Sequence, residues 1–119
     1  MEDKNALLKV GEKVHIVTRR LFENDLRRHF AGEVAAVTDR GALVVGYAFV
    51  FDVSRNEYVR KPGPRTRVFG ILEAEHIINV LPPMTDIAAL HYEHKGDRGL
   101  VVTDDRNFFL DVNEFGANR

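Results

Sequence analysis

Two clusters of basic residues with aromatics set among them hold the most recognisable chemistry of this chain. The first is Arg19, Arg20, Phe22, Arg27, Arg28, His29 and Phe30, and the second is Arg55, Tyr58, Arg60, Lys61, Arg65 and Arg67. Cations that neutralise phosphates and aromatic faces that stack bases are the means by which single-stranded nucleic acid is bound. The candidate binding residues are therefore Arg19, Arg20, Arg27, Arg28, Tyr58, Arg60, Lys61, Arg65 and Arg67, with single-stranded RNA or another anionic partner as ligand. A second reading stands beside it. Residues 54–67 set Arg55, Arg60, Lys61, Arg65 and Arg67 against a single acid, Glu57, and charged hairpins of this kind keep sheet edges from pairing with other chains. On that reading the chain is a protein–protein interaction or assembly module, and its charges confer only solubility.

The other titratable groups give less. Of the five histidines, His91 and His94 are three apart; that spacing shares a face on a helix but not on a strand, and residues 88–95 read as a strand. The pair is not expected to chelate one ion, and the histidines are expected at surface or edge positions, with no metal site assigned. Asp104 and Asp105 suit a polar turn, and Glu73 and Glu75 a solvated connection, whereas acid–base catalysis needs a carboxyl buried enough to shift its pKa. Ser54 is the lone serine and has no partner motif, so no nucleophile is assigned and the chain is expected to be non-enzymatic. No cofactor motif is evident.

Composition sets the frame for these residues. The chain has 119 residues, 45% hydrophobic and 29% charged, which is the composition of a single soluble domain with one core. Formal net charge is −1, so any affinity for nucleic acid would rest on local clusters and not on bulk charge. The halves differ: residues 1–85 carry 13 Lys or Arg against 11 Asp or Glu, and residues 86–119 carry 4 against 7. Absence of cysteine excludes disulfides and thiolate metal sites and fits a cytoplasmic location. No apolar run approaches the ~20 residues of a membrane helix, and the first residues lack a secretory pattern.

The elements that must position the clusters are strands. Val14, Ile16 and Thr18 alternate with Lys13, His15 and Val17, the period of a first strand. Residues 30–38 form a second, with Gly32 marking a bend or bulge, and Asp39-Arg40-Gly41 makes the turn to a third. Residues 42–51 (ALVVGYAFVF) are an unbroken apolar run, which a strand shows when both its faces are covered. Leu43, Val45, Tyr47, Phe49 and Phe51 are its large set and are expected to fill the main core. Ala42, Val44, Gly46, Ala48 and Val50 are its small set and would admit a second layer, either the C-terminal segment or a second subunit, so a homo-oligomer is expected. A charged hairpin covers residues 52–61, Pro62-Gly63-Pro64 breaks it, and residues 66–72 and 76–81 make strands four and five around one turn. Pro82-Pro83 ends this part. Residues 88–95, 99–103 and 108–112 read as a meander of three short strands, and a helical turn is expected near residues 3–9.

Five consecutive strands with a bent second and third, a short third connection and one turn between the fourth and fifth resemble a small barrel of the Sm-like or SH3-like type found in bacterial proteins. The resemblance is one of element order and covers about residues 9–82, with residues 86–113 as a β extension of the same domain. It implies a five-stranded barrel, assembly through residues 66–72 of one copy and 76–81 of the next, and single-stranded RNA on the loops. Of the uridine pocket of Sm-like proteins, only Gly70 in Val68-Phe69-Gly70 has a counterpart. The arginine doublets also resemble the start of a cyclic-dinucleotide-binding PilZ domain, but no pair has the three-residue gap, and no glycine follows Asp52-Val53-Ser54.

Overall fold

The computed structural model describes residues 7–20, 22, 24–71 and 75–112. Among them are nine strands in two antiparallel sheets. The first sheet contains β1 (Lys13–Thr18), β2 (Arg28–Val37), β3 (Gly41–Asp52), β4 (Glu57–Arg60), β5 (Arg65–Gly70) and β6 (His76–Val80). The second contains β7 (His91–His94), β8 (Leu100–Thr103) and β9 (Phe109–Asp111). The mainly β class expected from the sequence is observed. The charged hairpin expected over residues 52–61 is observed, and its return arm, β4, is a strand not counted among the expected ones, paired to the end of β3. Residues 88–90 depart from the strand pattern: Ile87–Ala89 is a 3-10 turn, Leu90 is extended but unpaired in the ladder, and β7 begins at His91. The helical turn expected near residues 3–9 lies mostly outside the described residues.

In the first sheet the order is β4-β3-β2-β1-β6, and β5 also pairs with β3. β3 serves two partners on one edge, β5 along Gly41 to Gly46 and β4 along Phe49 to Asp52. The change of partner falls just past Gly46. Gly32 is not the bulge; the irregularity lies between Val34 and Ala36, and Gly32 sits opposite Gly46. The two strands approach so closely there that a Cβ on Gly46 would collide with the Ala31 carbonyl, and one on Gly32 with the Val45 carbonyl. Only glycine permits that approach. The sheet curls far enough to bring the Phe69 ring of β5 within 5.3 Å, centroid to centroid, of the His76 ring of β6. No ladder joins β5 to β6 among the described residues, so closure into a barrel is not observed.

Each face of the sheet covers a separate core. The concave face buries Val14 and Ile16 of β1, Phe30 and Val34 of β2, Ala42, Val44 and Ala48 of β3 and Phe69 of β5, with Leu8 against them. The opposite face packs Phe49, Tyr58 and Ala31 against Leu90, Val102 and Val112, with Tyr47, Phe51 and Tyr92 at the margin. Burying each of the larger groups is worth roughly 1.5–3 kcal/mol. This reverses the assignment expected for β3. Its small set lines the first core, because the interior of a strongly curled sheet is narrow, and its large set meets the C-terminal sheet. The double cover is also incomplete. Tyr47, Phe49 and Phe51 are overlaid, whereas Val45 on the same face is 42% exposed.

Polar contacts fasten the connection that leads into the second sheet. Lys13 Nζ donates to the Thr85 carbonyl at 2.8 Å and an Arg60 guanidinium nitrogen to the Ala88 carbonyl at 2.9 Å. Asp104, buried in the turn after β8, accepts from the backbone N–H of Asp86, Arg106 and Asn107 and from the Asn107 amide. Burial pushes its pKa up, but those donors outweigh burial and hold it well below the ordinary carboxylate range.

Candidate anion-binding groove

Alternation along the strands sorts the two basic clusters. On β5, Arg65, Arg67 and Phe69 share a face, and Phe69 fixes that face as the concave one. Arg28 stands in the same row system on β2 as Phe30, and Lys61, whose N–H bonds the Ala48 carbonyl at 2.8 Å, continues it past β4. Arg28, Lys61, Arg65 and Arg67 consequently line one cavity of about 190 Å³, together with Leu26, Ala48 and Val50. Room exists because the β3 side chains of this face, Ala48 and Val50, are small, while the Phe49 ring belongs to the opposite core. Arg67 also lies 5.8 Å from the centre of the Phe30 ring, a cation–π distance.

A second cavity of about 290 Å³ adjoins the first and shares Leu26 and Arg28 with it. Arg19, Arg20, Thr18, Asp25 and Glu75 complete its lining. The loop that carries the arginines is tied down at both ends. Arg19 N–H bonds the Glu75 carbonyl at 2.7 Å, and Asp25 closes a turn by accepting from Phe22 N–H at 3.0 Å. Six of the nine residues expected to bind therefore come together along one continuous groove: Arg19, Arg20, Arg28, Lys61, Arg65 and Arg67.

The other three face elsewhere. Tyr58 is 8% exposed and stacks between His29 and Tyr92, with centroid separations of 4.3 Å and 4.6 Å, so it offers no face to a base. Arg60 lies 4.7 Å over the Tyr47 ring and Arg27 5.2 Å from the Phe51 ring. Both cover the edge of the inter-sheet core, where parity from β4 and from the start of β2 sends them. Phe22, by contrast, is 68% exposed beside the arginine loop.

Two histidines expected at the surface are buried between the sheets. His15 is fully buried and His29 nearly so, and both reach the Tyr92 hydroxyl, His15 Nε2 at 2.8 Å and His29 Nδ1 at 2.7 Å. His15 Nδ1 has no hydrogen-bond partner. A bare ring nitrogen is less costly there than a stranded N–H, so the fitting tautomer carries its proton on Nε2 and donates to Tyr92, whose hydroxyl donates on to His29. Burial, and then the neighbouring His29, push the His15 pKa well below 6.5. The signal for this burial was present in β1, where His15 shares a face with Val17 while Val14 and Ile16 occupy the other.

His91 and His94 do not converge, as expected for a strand; His91 instead meets Glu93 and Asp105. Glu33, exposed, borders an open hollow of about 410 Å³ that has no histidine and no second carboxylate among its described lining residues. No helix among the described residues is long and apolar enough to cross a membrane. Comparison with known protein families, with curated proteins and with solved structures finds no match.

Proposed function

We propose that the chain is a non-enzymatic β module that binds single-stranded RNA through the groove between the Arg19–Arg28 loop and β5, on a small barrel-like frame of the Sm-like or SH3-like type left open between β5 and β6. The observation that carries this reading is the convergence of six basic side chains from four separate stretches of sequence on two adjoining cavities. Phosphates lie against the guanidinium and ammonium groups, Leu26 and Ala48 give the groove an apolar floor, and Phe22 supplies a face for stacking. Fluorescence anisotropy with a mixed-sequence single-stranded RNA at low salt tests it. Affinity should fall as salt rises, with a logarithmic slope of about −0.7 for each phosphate neutralised. Binding that is absent, or that ignores salt, removes the proposal.

A second reading, assembly with other copies of the chain, is favoured by two sheet edges, β5 and β6, that pair with no further strand among the described residues. Val68 on β5 and Ile77 and Val80 on β6 are 73%, 47% and 54% exposed, and exposed apolar edge strands are templates for pairing. Light scattering that reports a monomer across a wide concentration range removes this second reading.

A further inference from the structure

Outside the groove, three donor groups on the C-terminal sheet are arranged about one point. His91 and Glu93 share a face of β7, being two apart on a strand, and Asp105 enters from the turn between β8 and β9. His91 Nε2 lies 2.8 Å from Glu93 Oε2 and 3.4 Å from Asp105 Oδ2, and the three donor atoms lie within 4.8 Å of one another. An ion holding nitrogen and oxygen donors at about 2.0–2.2 Å places adjacent donors about 3.0–3.4 Å apart, at octahedral or tetrahedral angles. Both separations from His91 are near that range.

The surroundings prepare each donor. His91 Nδ1 is 3.1 Å from the Ala89 carbonyl, which can only accept, so Nδ1 carries a proton; Nε2 faces two carboxylates that also only accept, and an incoming ion takes the place of the proton that Nε2 shares with them. A backbone carbonyl in this role orients the imidazole of many metal sites. Lys95 Nζ holds Glu93 by its other oxygen, Oε1, at 3.2 Å, leaving Oε2 to the centre. Asp105 has a left-handed backbone, φ 69°, and its N–H donates to Thr103 Oγ1 at 2.9 Å; the turn built on Asp104 therefore fixes its backbone, from which its exposed carboxylate reaches His91. One imidazole with two carboxylates is a mixed donor set, which suits first-row transition ions better than Mg²⁺ or Ca²⁺.

We propose that His91, Glu93 and Asp105 form a binding site for a divalent first-row transition ion such as Zn²⁺, with its remaining positions open to water. Bound there, the ion clips β7 to the β8–β9 turn. The test is calorimetric titration of Zn²⁺ into the intact chain without a histidine tag, near neutral pH. Micromolar binding at one ion per chain is expected, and Mg²⁺ in large excess should not displace it. His91→Ala and Glu93→Gln should each weaken binding by at least about tenfold, whereas His94→Ala should leave it within about twofold. Circular dichroism of each metal-free variant checks the fold, and Zn²⁺ should raise the melting temperature of the parent chain but not of His91→Ala. Binding no tighter than millimolar, or binding undiminished in both His91→Ala and Glu93→Gln, overturns the proposal.

Discussion

Replacing Tyr92 by Phe isolates the polar heart of the inter-sheet core. The change keeps the ring that contacts Phe49, Tyr58 and His29 and deletes one oxygen. That oxygen is the sole hydrogen-bond partner of the His15 ring among the described residues, Nε2 meeting it and Nδ1 having none, so a fully buried imidazole is left without a partner. Stranding one buried donor costs about 1–3 kcal/mol, and His29 loses a bond whose net worth is about 1 kcal/mol. The expected loss is therefore about 2–4 kcal/mol, measured by urea denaturation at mildly alkaline pH with far-UV circular dichroism as the probe. His15→Leu supplies the control, since it removes the group that would be stranded. In that background Tyr92→Phe should cost at least about 1 kcal/mol less, a coupling within the range for residues in contact. A single-variant loss below about 0.5 kcal/mol, or strict additivity in the double variant, refutes the reasoning, because a stranded donor is a large and non-additive term.

Acidification should weaken the fold through the same group. Unfolded His15 titrates near 6.5 and folded His15 lower, so its contribution is complete above 6.5 and is lost as pH falls below it, at up to about 1.4 kcal/mol per pH unit. His91 acts in the opposite sense, its pKa being raised chiefly by the Ala89 carbonyl and further by Glu93 and Asp105 against some burial, and its small, solvent-screened share fades as pH rises above 6.5. Unfolding curves that do not change between pH 7 and pH 5 (from about 0.5 unit above to about 1.5 units below the ordinary histidine pKa) would contradict the burial of His15. Gly46→Ala drives a methyl group into the Ala31 carbonyl and should cost about 3 kcal/mol; an unchanged urea midpoint would show that the strands can part there. Arg28→Glu and Arg65→Glu should abolish RNA binding without loss of stability, while Arg60→Ala should loosen the C-terminal sheet and leave RNA affinity intact. Equal effects of all three on anisotropy would place the groove wrongly.

The strands were legible because local chemistry alone specifies them. β-Branched alternation marks β1, the apolar decapeptide marks β3, and the Gly and Pro positions mark the connections, so β1, β2, β3, β5, β6, β8 and β9 begin and end within about two residues of their expected limits. What lay on each side of β3 was not legible. Alternation of large and small residues shows that its two faces differ, but the layer each face meets depends on how sharply the sheet curls, which is set by the Gly32–Gly46 approach across two strands. The groove was half legible for a related reason. Charge identifies the arginines, whereas parity on β4 decides that Lys61 joins them and that Tyr58 and Arg60 do not. The grouping of His91, Glu93 and Asp105 needs the β8–β9 turn to fold back beside β7, and the only local sign of it is a histidine and a glutamate two apart on a strand.

β3 resembles a key cut differently along its two edges, with alanine, valine and glycine on one and tyrosine and phenylalanine on the other. Sliding it by one residue against β2 would send Tyr47 and Phe49 into a space sized for Gly46 and Ala48, and would leave the C-terminal sheet resting on almost nothing. Mispaired folding intermediates are thereby penalised twice, once by overcrowding and once by a void. A chain with so much bare hydrocarbon in one strand thus protects itself from misalignment without any covalent crosslink.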